Sequence, residues 1–143
     1  MKRFLFAFTL ILIAATFANA QQNETEKAAE PEAIIKVVGE LVHDFGTIKE
    51  VDGPVSYTFK VKNEGKAPLV ITKVVPSCGC TTPEWTKEPI APGKTGDIKV
   101  TYDPAGRPAP FQKTISVYSN GKDDKGKTGS YVLTIKGVVE GKQ

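Results

Sequence analysis

The chain has 143 residues, 19 Lys and Arg against 16 Asp and Glu, one histidine and two cysteines, for a formal net charge of +3. Basic and acidic residues are interspersed with no basic run beside aromatic residues, which excludes the electrostatic footprint of a nucleic-acid binder. The patterned part of the chain, about 110 residues, is enough for one ordinary domain and not two.

Residues 1–20, MKRFLFAFTLILIAATFANA, have the layout of a secretory signal: Lys2 and Arg3, an apolar run from Phe4 to Phe17, then Ala18-Asn19-Ala20. Cleavage is expected between Ala20 and Gln21. The apolar run falls short of the about 20 residues that a bilayer span needs, so no membrane span is expected after cleavage. Lys2 and Arg3 leave with the leader, so 19 basic residues become 17 against 16 acidic, and +3 falls to +1. The expected address is export, to a periplasm or beyond the cell. Residues 21–33, polar and acidic and without branched apolar side chains, read as a flexible tether. The domain is expected over 34–143.

From there the chain reads as strands. The stretch AIIKVVGELVHDFGTI supplies one or two pairings at the front. In VSYTFKVKN, Tyr57, Phe59 and Val61 fall on one side and Ser56, Thr58, Lys60 and Lys62 on the other, the alternation of a half-buried strand. PLVITKVV is apolar on both sides, as a covered strand would be. Ile98, Val100 and Tyr102 form the inward set of GDIKVTYDP; Ile115 and Val117 that of KTISVYSN; Tyr131, Leu133 and Ile135 that of SYVLTIKGVVE. Between the runs stand Asn63-Glu64-Gly65, Pro92-Gly93, Asp103-Pro104 and Ser119-Asn120-Gly121, residues that accept or preset turn geometry. About seven short strands in one domain predict an all-β, immunoglobulin-like β-sandwich. Two cysteines two positions apart cannot form the inter-sheet staple of antibody domains. Trp85 is expected as a buried or rim aromatic near the cysteines.

The motifs HDFGTI (43–48), FKVKNEGKAPLVI (59–71), SCGCTTPEW (77–85), PIAPGKTGDIKVTYDP (89–104) and FQKTISVYSN (111–120) occur in a familiar order. With them the chain resembles, over about 42–138, the bacterial family called domain of unknown function 1573, which is similar to immunoglobulin-like domains of the ASPM, SPD-2 and hydin type and to major sperm proteins. The resemblance implies a seven-stranded sandwich, exported in bacteria, with no established activity. One departure is PAGRPAPF, where prolines separate Gly106 from Phe111.

Chemistry, if present, would center on Cys78-Gly79-Cys80. Residues two apart on an extended strand have α-carbons roughly 6.6 Å apart, the upper edge of the about 4.4–6.8 Å that a disulfide spans, and Gly79 can kink to shorten the gap. Closing so small a ring contributes only about 1.5 kcal/mol by the chain-entropy estimate. Thiol catalysis needs a cation, histidine or helix N-terminus nearby; Lys73 and Lys87 are candidates by proximity in sequence. Zinc wants four ligands, and the mature chain offers His43 besides the two thiols, so no metal is expected beyond a two-thiolate Cu(I) site at Cys78 and Cys80. The expected function is therefore an exported, non-catalytic binding or structural module of the cell envelope, without cofactor, engaging a protein or envelope component. The alternative is a small thiol redox or copper-handling protein using Cys78 and Cys80.

Overall fold

The computed structural model describes residues 30–142. The expected signal sequence, its expected Ala20–Gln21 junction and the expected tether as far as residue 29 lie outside the described residues. The strands are β1 (Ile35–Val38), β2 (Val42–Lys49), β3 (Val55–Asn63), β4 (Ile71–Pro76), β5 (Thr81–Trp85), β6 (Thr95–Tyr102), β7 (Pro110–Lys122) and β8 (Thr128–Glu140), with one 3-10 turn at Glu50–Asp52. They form two four-stranded sheets, β1-β3-β6-β5 and β2-β8-β7-β4.

All neighbours are antiparallel except β2 and β8, which run parallel from Val42↔Thr134 to Lys49↔Glu140. The order matches an immunoglobulin constant-type sandwich in which the first strand is split between the sheets. Gly39, at φ 98°, sits where β1 ends and the chain crosses to β2, a conformation that glycine adopts without the steric penalty of a Cβ. The expected seven strands are eight because this front stretch gives one strand to each sheet.

The inward sets of the period-two runs meet between the sheets. Phe59, Val61, Ile98, Val100, Tyr102, Ile115, Val117, Leu133 and Ile135 are all buried, with Leu69, Ile71 and Ile90 closing one end. Tyr102 and Phe111 stack at 3.9 Å between ring centroids. Burying a side chain of this size is worth about 1.5–3 kcal/mol, so the core needs no inter-sheet disulfide. Tyr57 corrects the pattern: it is in phase with Phe59 but 37% exposed. Its ring stacks on His43 of β2 at 3.6 Å, at the open flank of the sandwich.

The packed body starts before the expected tether boundary. Ala33 is buried, and the Glu32 carbonyl accepts the N–H groups of Lys66 and Ala67. A Cβ at position 65 would lie 2.2 Å from that carbonyl oxygen, so Gly65 lets this segment dock. Asn63 organises the same corner. Fully buried, its amide donates to the carbonyls of Ala67 (2.8 Å) and Ile90 (2.9 Å). Its Oδ1 accepts from Gly65 N at 2.9 Å and Ile34 N at 3.4 Å. One side chain thereby ties the end of β3 to three separate segments.

Candidate functional site: the Cys-Gly-Cys corner

Ser77–Thr81 is where the chain leaves one sheet for the other. Ser77 still belongs to the β4–β7 side: its N–H donates to Thr114 O at 2.9 Å, and its Oγ accepts from Thr114 N at 3.1 Å. Cys80 already belongs to the β5–β6 side, its carbonyl accepting Asp103 N at 2.9 Å, and Thr81 pairs with Tyr102. Between them Thr81 N donates to Cys78 O at 3.3 Å, closing a turn.

The turn brings the α-carbons of Cys78 and Cys80 to 5.3 Å, and their sulfurs are bonded. That is shorter than the extended-strand spacing, so the corner bends as the bridge requires. Gly79 is not the reason. It lies outside the positive-φ glycines, and a Cβ built there meets nothing within 4 Å. The bend comes from the crossover itself, with Ser77 and Cys80 held to different sheets.

Cys80 is buried and Cys78 half-buried. The side-chain group in contact with both sulfurs is the Thr81 hydroxyl, at 3.7 Å from Cys78 Sγ and 3.8 Å from Cys80 Sγ. The two lysines that sequence proximity suggested are occupied elsewhere. Lys87 Nζ stands 2.9 Å from the centroid of the Trp85 ring, and Lys73 Nζ lies 5.9 Å from that of Tyr118. Trp85 is a half-buried rim aromatic whose Nε1 donates to Ile71 O at 3.2 Å, tying β5 to β4 beside the crossover. His43 is packed against Phe45 and Tyr57 instead. Among the described residues no three His, Cys, Asp or Glu side chains converge as a metal site would require.

A shallow depression of about 470 Å³ lies on the outer face of the second sheet, lined by Asp44, Gly46, Thr47, Gln112 and Lys136 with Phe111 below. It follows from the bulge in β2 between Asp44 and Thr47. Gly137 faces the Phe111 ring, which a Cβ would meet at 2.9 Å. Its charges are answered internally. Asp44 accepts from Gly46 N at 2.8 Å and pairs with Lys136 at 3.5 Å, and the Gly46 N–H, followed by Lys136, holds its carboxyl below the usual range.

The topology and the corner together define an immunoglobulin-like β-sandwich with a local Cys-Gly-Cys bridge where it changes sheets. The chain belongs to the family described as protein of unknown function (DUF1573), whose model matches residues 37–139, slightly wider than the motifs alone delimit. No curated protein matches it. Among solved structures it is similar to a protein of unknown function from Porphyromonas gingivalis W83, with a TM-score of 0.62 and 18% identity over 81% of this chain and 51% of that one. The VesB protease of Vibrio cholerae gives a TM-score of 0.53 and 19% identity over 73% of this chain and 31% of the protease. The ASH/PapD-like domain 7 of human CEP192 gives 0.54 and 7% identity over 76% and 87% of the two chains. At these identities the likeness is one of fold. The chain spans about half the length of the Porphyromonas protein and under a third of the protease.

Proposed function

We propose that this protein is an exported, non-catalytic immunoglobulin-like module of the cell envelope that binds another protein through the flank where β1 hands over to β2. The observation that carries the reading is the placement of exposed apolar side chains there: Leu41, Val42 and Val132 are each more than 40% exposed, and Leu41 and Val132 line one shared depression. The outer face of the first sheet contrasts with it, carrying Ser56, Thr58, Lys60, Thr82, Glu84, Lys99 and Thr101 in facing rows. Exposed apolar side chains gathered in one patch mark interaction sites. The leader pattern supports export, and a bonded cysteine pair fits an oxidising compartment. No helix of the described residues is long and apolar enough to cross a membrane.

The test is site-specific photo-crosslinking in envelope fractions, with the probe at Val132 or, as control, at Thr82. A defined adduct from Val132 and none from Thr82 is expected. Equal patterns from both positions, or no adduct, would remove the reading. The rival, thiol exchange or copper handling at Cys78 and Cys80, draws on the half-exposed Cys78 of a minimal ring. Thiol titration with metal analysis of the purified protein decides it: inert sulfurs and no copper end it.

A further inference from the structure

The same flank holds an unfilled strand position. β1 pairs with β3 from Ile35↔Asn63 to Val38↔Lys60, and the chain then departs for the other sheet. β3 begins further back, its Val55 facing Tyr102 of β6. Residues Val55–Phe59 thus have a strand on one side and none on the other. The hydrogen-bond parity says which groups face the gap. Asn63 N donates to Lys94 O on the β6 side, and Glu64 N donates to Ile34 O on the β1 side. Bonding directions alternate along an antiparallel ladder, so the N–H and C=O groups of Thr58 and Ser56 point into the gap.

The edges at β1, β2, β4 and β5 are blunted by the devices that folded proteins use against unwanted pairing. Just ahead of β1, Ile34 bridges to Lys122 of β7. β2 carries the bulge, with Asp44 taking the Gly46 N–H. At the β4 edge the Trp85 indole binds Ile71 O, and β5 has Pro83 in mid-strand. Among the described residues the β3 gap has no such guard. Its floor is apolar instead: the exposed Tyr57 ring on His43, with Val55 and Phe45 half-buried.

We propose that this gap accepts an extended segment of a partner protein as an added strand, antiparallel to β3, exchanging N–H···O bonds with Thr58 and Ser56. The proposal rests on the binding-module reading above and names its site. Five residues at about 3.4 Å each give a segment about 17 Å long. Its alternate side chains, opposite Val55, Tyr57 and Phe59, are apolar and cover the Tyr57–His43 stack. Those opposite Ser56 and Thr58 are small and polar. A second copy of this sandwich fits poorly, because pairing β3 with β3 about a two-fold would set the partner's Pro54 opposite Lys60, where Val38 already stands. A lone strand meets no such obstacle.

The probe is the capped hexapeptide Val-Thr-Val-Thr-Val-Glu, whose five leading residues run opposite Phe59 to Val55 and leave the position opposite Lys60 to Val38, titrated into the ¹⁵N-labelled mature domain. Saturable shifts at Ser56–Thr58 are expected, with slowed amide exchange at Ser56 and Thr58. Thr58→Pro removes a donor on the gap side and leaves the β6 ladder, carried by Tyr57 and Phe59, in place; it should weaken binding at least tenfold. Tyr57→Ala, which keeps every backbone group, should weaken it severalfold. No shifts at millimolar peptide, or shifts confined to another edge, overturn the proposal. A concentration-dependent dimer that Thr58→Pro abolishes would assign the gap to a second copy and overturn it too. An envelope adduct from Val132 that persists in Thr58→Pro would sink this site and leave the binding module standing; loss of the adduct from the wild type would remove both.

Discussion

Replacing Asn63 with Asp changes one group in the buried corner and keeps its shape. The amide nitrogen, which donates to Ala67 O at 2.8 Å and Ile90 O at 2.9 Å, becomes an oxygen facing two oxygens. Two lost hydrogen bonds cost about 1 kcal/mol each. Confining a carboxylate against carbonyls in a fully buried position adds about 2 kcal/mol more. Asn63→Asp should therefore destabilise the fold by about 4 kcal/mol at neutral pH, a large part of the about 5–15 kcal/mol that holds an ordinary domain together. Burial raises the introduced carboxyl's folded-state pKa above its unfolded value near 3.9. The penalty is then complete above the folded pKa and shrinks as pH falls through it, because the neutral acid again has one hydrogen to donate. Urea unfolding of variant and wild type at pH 7 and pH 4 measures this, with the wild type at each pH as reference. A loss under about 1 kcal/mol at pH 7, or a deficit equal at both pH values, would refute the assignment of Asn63 as donor to both carbonyls.

Reducing the Cys78–Cys80 bridge should lower stability by about 1.5 kcal/mol and no more, since the ring it closes is minimal; calorimetry with and without reductant should show a modest fall in Tm and an unchanged β-sheet spectrum. Gly65→Ala drives a Cβ into the backbone of Glu32 and Ile34 and should strip away the bonds from Glu64, Lys66 and Ala67 to that segment, about 3 kcal/mol in urea melts. Gly79→Ala has open space and an unexceptional φ, and should stay within about 0.5 kcal/mol of wild type in the same melts.

The alternation of apolar and polar residues located β3, β6, β7 and β8 because each has a buried face and a wet one. It could not say which sheet each front strand joins. β1 and β2 share one apolar stretch, and the switch at Gly39 is a property of two neighbouring strands that lie far away in the chain. Tyr57 departs from its phase for the same reason. Its phase is inward, but exposure there depends on where β1 stops covering β3. Asn63 carries a signal of its own: it continues the inward series of Phe59 and Val61, and a polar residue on a buried phase demands partners. Asn63-Glu64-Gly65 taken alone reads as a simple turn. At the cysteine corner, the spacing marked the bridge as feasible; the sequence held no trace that Ser77 and Cys80 would be pinned to opposite sheets, which bends the chain without help from Gly79.

The parallel alignment of β2 and β8 sets how the domain bears load. Two parallel strands, one leading from the front of the chain and one running toward its end, have their free ends pointing in opposite directions. Tension applied between the start of β1 and the end of β8 loads the β1–β3 rungs first and, once these give, slides β2 along β8, so the rungs from Val42↔Thr134 to Lys49↔Glu140 are strained together. Peeling would break them one at a time at low force; sliding loads them as a set. A module anchored at one end while gripping something at the other would resist extension through this pair of strands, with the rest of the sandwich serving to keep them in register.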